Sequence, residues 1–136
     1  MEFQDVYKRQ EKGPVANIVA VVVFGLVGWG FCGATMGVAV ATTDLGHALI
    51  IHDIAAPVIF AVLSFVYFRR NGAYSPLRTA TTFLAIVIAM DFFLVALLIE
   101  RSFAMFESFI GTWFPFALIF LSAWLTGIAL RGTSRR

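Results

Sequence analysis

The chain has 136 residues, 60% of them apolar and 13% charged, with a formal net charge of +2. An ordinary soluble domain is about half apolar and about a quarter charged, so this composition argues against a water-soluble globular protein, and four long apolar runs leave no length for a separate soluble domain. The basic residues stand in short flanks between those runs rather than along one face, which argues against a nucleic-acid partner despite a pI near 9.0.

The opening ten residues, MEFQDVYKRQ, lack the apolar core and small-residue cleavage site of a signal peptide. Residues 5–10, DVYKRQ, resemble a translated sequencing adaptor. Residues 1–10 are therefore expected to be an artefactual leader, and 11–136 a single all-α domain, an integral membrane bundle of four transmembrane helices.

The first span is expected over residues 14–41, about 42 Å at 1.5 Å per residue. That exceeds the ~30 Å of hydrocarbon, so the helix must tilt, break or project. Gly25, Gly28, Gly30, Gly33 and Gly37 crowd its middle and second half. Gly33, Gly37 and Ala41 recur every four residues on one face, the spacing at which small side chains let a neighbouring helix approach closely in lipid. Helix packing is the expected role of these three, with a hinge lining a cavity as the alternative. The lone cysteine, Cys32, can form no intramolecular disulfide and reads as a small buried hydrophobe.

Thr42, Thr43 and Asp44 are candidate caps for a second span over 45–68, which Arg69 and Arg70 stop. Turn residues fill 71–74, Ser75 followed by Pro76 reads as a cap with proline in the first turn, and the third span follows over 77–99. Glu100, Arg101 and Glu107 bracket a stretch in which Phe103, Phe106 and Ile110 are spaced for one helical face at the interface. The fourth span is expected over 108–130, with Trp113 and Pro115 marking its entry near the headgroups.

Lysine and arginine set the orientation. Lys12 precedes the first span, Arg69, Arg70 and Arg78 surround the second link, and Arg131, Arg135 and Arg136 follow the fourth span, whereas the other two links hold Arg101 against Asp44, Glu100 and Glu107. The positive-inside rule then predicts that both termini are cytoplasmic.

Ionisable groups inside a bilayer cost at least a few kcal/mol when unpaired, so each calls for a partner or a purpose. His47, His52 and Asp53 fall in the second span, with Asp44 just before it, and Asp91 falls in the third. Counted from the outer ends, His52 lies about 12 Å deep and Asp91 about 13.5 Å, which predicts that His52 or Asp53 meets Asp91 in the outer half of the bundle. Asp53 points about 180° away from Asp44, so these groups do not share one simple face.

Three readings follow. The groups hold helices together by hydrogen bonds; they form a proton or polar network, since imidazole titrates near neutral pH; or His47, His52 and Asp91 are ligands of a metal, although histidines five apart diverge by about 140° and other helices would have to complete the site. Haem is less well served, since Met36, Met90 or Met105 would have to supply the second axial ligand. No nucleophile–base pair or phosphate loop is present, so no catalytic residue is assigned and no cofactor is expected.

The stretch from Gly111 to Gly127, GTWFPFALIFLSAWLTG, is similar to small four-span inner-membrane proteins of bacteria, a resemblance that implies a multi-pass inner-membrane location and no particular activity. Two functions are expected from the whole: a transport-related or proton-coupled membrane protein, homo-oligomeric because four short helices enclose little space, or a non-catalytic subunit whose Gly33–Gly37–Ala41 face docks a membrane partner. Lipid and a second copy or partner helix are the expected partners.

Overall fold

The computed structural model describes residues 13–70 and 72–134, with side chains to residue 130. The expected leader, Asn71 and the topology-setting Lys12, Arg135 and Arg136 lie outside the described residues, as does the Arg131 side chain. No strand occurs among the described residues. Helix α1 runs Pro14–Thr42, α2 Leu45–Arg70, α3 Pro76–Met90 and α4 Phe114–Ser134. Four spans, Pro14–Thr42, Leu45–Arg70, Pro76–Ile99 and Phe109–Leu130, are long and apolar enough to cross a membrane.

Local chemistry accounts for the ends. Asp44 caps α2, its carboxylate accepting from the His47 N–H over 3.0 Å. Gly72, in the left-handed region at φ 55°, closes the other end of α2 by returning its N–H to the Tyr67 carbonyl over 3.0 Å. Ser75 accepts from the Arg78 N–H over 3.2 Å, and Pro76 occupies the first turn of α3, where no N–H is needed. Helix α1 is continuous over its 29 residues, so its glycines mark no break.

Two segments depart from regular α-helix. After Met90 the chain continues as a π-helix, Asp91–Ile99, and the Glu100 N–H reaches five residues back to the Val95 carbonyl over 2.7 Å. Arg101, at φ 53°, ends that segment in the left-handed region. A 3-10 turn, Ala104–Glu107, and a π-turn, Phe109–Trp113, then lead into α4. Because the chain breaks at Ser108, residues 103–110 do not form one helical face. Phe106 turns onto Phe92 and Trp113, at centroid distances of 6.2 and 6.4 Å, while Ile110 faces out, 57% exposed.

The helices pack in the cyclic order α1, α2, α4, α3: α2 and α3 each lie along α1 and α4, and face each other across the diagonal. Gly25, Gly28 and Gly127 set the spacing. A Cβ on Gly25 would stand 2.7 Å from Ile86 Cδ1, one on Gly28 2.5 Å from Phe60 Cζ, and one on Gly127 2.7 Å from Pro76 Cβ. The core sits toward the end carrying Arg69, Arg70 and Arg78, hereafter the basic end. Tyr67 is fully buried there, its ring 5.6 Å from Phe24, 5.1 Å from Phe68 and 6.0 Å from Phe83. Toward the far end the buried positions are mostly small, Cys32, Ala39, Ala48, Ala56 and Ala96.

Outside the core the surface is apolar all round. Val15, Ile54, Phe93 and Leu98 are each at least 60% exposed, and only 17–28% of the most apolar window of each span is buried. Apolar cover this continuous is foreign to a monomer in water and ordinary for helices facing lipid.

The two classes of glycine predict different tolerances. Gly28→Ala overpacks a seam against an aromatic ring and is expected to cost about 1–3 kcal/mol, whereas Gly33→Ala, with nothing within 4 Å of its Cβ, is expected to be neutral or to stabilise the helix by up to about 1 kcal/mol. Reversible unfolding of the two variants in mixed micelles checks the contrast.

Candidate functional site

The five polar residues expected to form one network separate into three places. Asp44 and His47 form an exposed pair in the first turn of α2, with His47 Nδ1 2.6 Å from Asp44 Oδ2. The hydrogen bond from the His47 backbone N–H, followed by that from its ring, holds the Asp44 carboxyl below the usual carboxylate range. Local geometry causes this, since residues three apart at a helix start face the same way.

Asp91 stands at the junction of α3 and its π-helical extension, half-buried. Its Oδ1 accepts a hydrogen bond from the indole N–H of Trp29 on α1 over 2.8 Å. Among the described residues Asp91 forms no ion pair within 4.0 Å with His52, and His52 Nδ1 and Asp53 Oδ1 have no hydrogen-bond partner, so the expected polar contact between the second and third spans is not made. The reason is topological. Because α2 and α3 are diagonal, a short carboxylate on α3 reaches the seam with α1, while only long aromatic rings such as Phe60 and Phe83, 5.8 Å apart, meet across the middle.

His52 and Asp53 remain on α2, in the half of the bundle away from the basic end. His52 Nδ1 lies 3.9 Å from Asp53 Oδ1, and their side chains are 17% and 11% exposed. Both atoms are buried and, among the described residues, without a hydrogen-bond partner. Pro57, inside the same helix, has no N–H to return to the Asp53 carbonyl, so the backbone here loses its ordinary donor as well. An acid, a base and a carbonyl without its ordinary helical donor are thus adjacent in a mostly apolar helix. Ser64 and Thr79, nearer the basic end, are fully buried hydroxyls whose oxygens likewise lack a partner, whereas Thr35, Thr42, Thr81 and Thr82 return theirs to carbonyls of their own helices.

No three His, Cys, Asp or Glu side chains among the described residues come together as a metal-ligand group, so His47, His52 and Asp91 do not converge within one copy. The diagonal packing that parts Asp91 from α2 also parts this donor set. Gly33 and Gly37 face open space, and Ala41 is exposed. Within one copy, close helix contact is made instead by Gly25, Gly28 and Gly127. Beside the open face, a shallow groove is lined by Phe31, Thr35, Val38 and Thr42 of α1 and Ile51 of α2.

Trp29 is the residue the sequence reading passed over. Tryptophan favours the interfacial zones of a span, and one placed mid-helix needs an acceptor for its N–H. That signal, together with an unpaired Asp in another span, would have suggested the contact.

No protein-family model, curated protein or solved structure matches this chain.

The Asp44 arrangement yields a test outside the apolar spans. A carboxyl whose folded pKa is depressed adds stability at pH above its unfolded value, and that stability is lost as pH falls through the folded value. In His47→Ala, which removes the ring partner and keeps the backbone N–H, the Asp44 carboxyl is expected to titrate closer to its ordinary value, read by carbon-13 shifts of the side-chain carboxyl.

Proposed function

We propose that this chain is a multi-pass protein of the bacterial inner membrane with both termini in the cytoplasm, and that it is transport-related and proton-coupled through His52 and Asp53. The observation that carries this reading is the buried pair itself, Nδ1 and Oδ1 3.9 Å apart and each without a hydrogen-bond partner. Desolvated ionisable groups are costly in hydrocarbon, and a paired acid and base kept inside a span is the kind of group from which proton relays are built. Imidazole and carboxylate this close can exchange a proton through one bridging water or on a small side-chain approach, and Pro57 removes the N–H that would return to the Asp53 carbonyl next to them. Asp91 takes a different part, being engaged by Trp29. Four helices packed around an aromatic core leave little room along their axis, so the pathway in this reading runs along α2 or between copies in a homo-oligomer.

The measurement is proton flux into vesicles loaded with a pH-sensitive dye, using purified full-length protein. Asp53→Asn and His52→Gln are each expected to abolish flux while helix content and insertion stay unchanged. Wild-type flux equal to empty vesicles, or full flux in both variants, would overturn the reading.

A second reading, a non-catalytic subunit that packs with a membrane partner, is favoured by one specific observation. Gly33, Gly37 and Ala41 form an open small-residue face with no role inside one copy. It predicts that Gly33→Leu with Gly37→Leu dissolves an assembly captured by cross-linking in native membranes, while Asp53→Asn leaves that assembly intact.

A further inference from the structure

Trp29 sits one residue beyond Gly28, where Phe60 and Leu63 of α2 come closest, and four beyond Gly25, where Ile86 of α3 does. It is therefore carried on the most tightly seated part of α1. Its indole N–H donates to Asp91, and Asp91 is the first π-wound residue of the third span. One hydrogen bond thus ties α1 to the point at which the third span changes its winding.

The backbone at this point is itself intermediate. The Asp91 N–H is shared between the Ile88 and Val87 carbonyls, three and four residues back, and by Glu100 the reach has grown to five. A π-wound turn holds one residue more than an α-wound turn, so rewinding nine residues as α-helix would rotate the far end of the segment by roughly two residues. Ala96, the buried residue of the segment, would swing away from the interior. The two windings therefore turn different side chains of this segment toward the bundle interior and toward its surroundings.

Among the described residues, the Cys32 thiol on α1 and Glu100 at the end of its own segment lie within electrostatic reach of the Asp91 carboxylate. Among the described residues, no Lys, Arg or His from any element lies within 4.0 Å of it. The charge on Asp91 is thus free of a fixed counter-ion, and its interaction with Trp29 depends on whether it carries a proton. A hydrogen bond to an ionised acceptor is about twice as strong as one between neutral groups.

The geometry points to a proton-operated latch: ionised Asp91 grips Trp29 and holds residues 91–99 in the π-winding, and protonated Asp91 lets the segment rewind toward α-helix. This device stands on the α1–α3 seam and does not depend on the role given to His52 and Asp53.

The experiment uses the full chain in phosphatidylcholine vesicles with Trp113→Phe and Trp124→Phe, which leaves Trp29 as the single tryptophan. Trp29 emission is followed from about pH 8 to about pH 4, together with amide protection in residues 92–99 corrected for the intrinsic pH dependence of exchange. One transition in emission is expected, with protection in that segment changing by about tenfold across it, and both changes vanish in Asp91→Asn. In the otherwise unaltered chain, Trp29→Phe is expected to give the low-pH protection pattern at every pH. Emission that does not titrate, a transition that survives Asp91→Asn, or protection that stays constant while emission titrates would each overturn the latch.

Discussion

The rest of the bundle depends on close approach at Gly25, Gly28 and Gly127. At each of these a single added carbon would stand 2.5–2.7 Å from a neighbouring side chain, well inside van der Waals contact. For helices in lipid there is little hydrophobic force to exploit, and dispersion contacts of this kind are what such an environment leaves to hold them together. Phe60 and Leu63 fit over Gly28, Ile86 over Gly25, and Phe68 and Pro76 over Gly127. With the helices drawn in at these points, Tyr67 can stand at the middle with rings from α1, α2 and α3 around it.

That seating fixes which helices are neighbours, and so which polar groups can meet. Because α1 and α4 separate α2 from α3, Asp91 finds Trp29 and not the histidine on α2. His52 and Asp53 are left with each other, at 3.9 Å, and with a helix whose hydrogen bonding Pro57 interrupts. One bonded carboxylate and one unbonded pair within the same apolar bundle suit different tasks, a tie between helices in the first case and proton relay in the second.

Regularity also divides the molecule. The basic end holds most of the large buried side chains and regular α-helix. The far end holds mostly small buried residues beside Pro115 and Phe116, both π-wound segments and a cluster in which Phe92 lies against Phe103 at 5.3 Å. Trp113 lies in this cluster, its N–H bonded to the Phe106 carbonyl over 2.8 Å, as suits an aromatic belt at an interface. Segments with few large buried contacts are the ones in which a change of winding costs least. The far end is therefore where the proposed latch and the proposed proton pair both sit, while the basic end serves as the rigid base.

The helical architecture was legible from residue order alone, because its causes are local. Apolar runs of sufficient length, Asp44 and Ser75 as caps, Pro76 in a first turn, and arginines at the end of the second run each act within a few residues, and the spans begin and end close to where those signals stand. The π-winding of Asp91–Ile99 carried no such signal, since nothing in DFFLVALLI distinguishes it from a regular apolar helix. The site was legible only as an inventory. His52, Asp53 and Asp91 are conspicuous in any apolar run, and counting along each helix placed them at similar depth, but depth says nothing about neighbours. Which glycines are packed and which are open, and whether Asp91 faces α2 or α1, depend on the order of helices around the bundle. Contacts among residues far apart in the chain decide that order, and only the tertiary structure holds them.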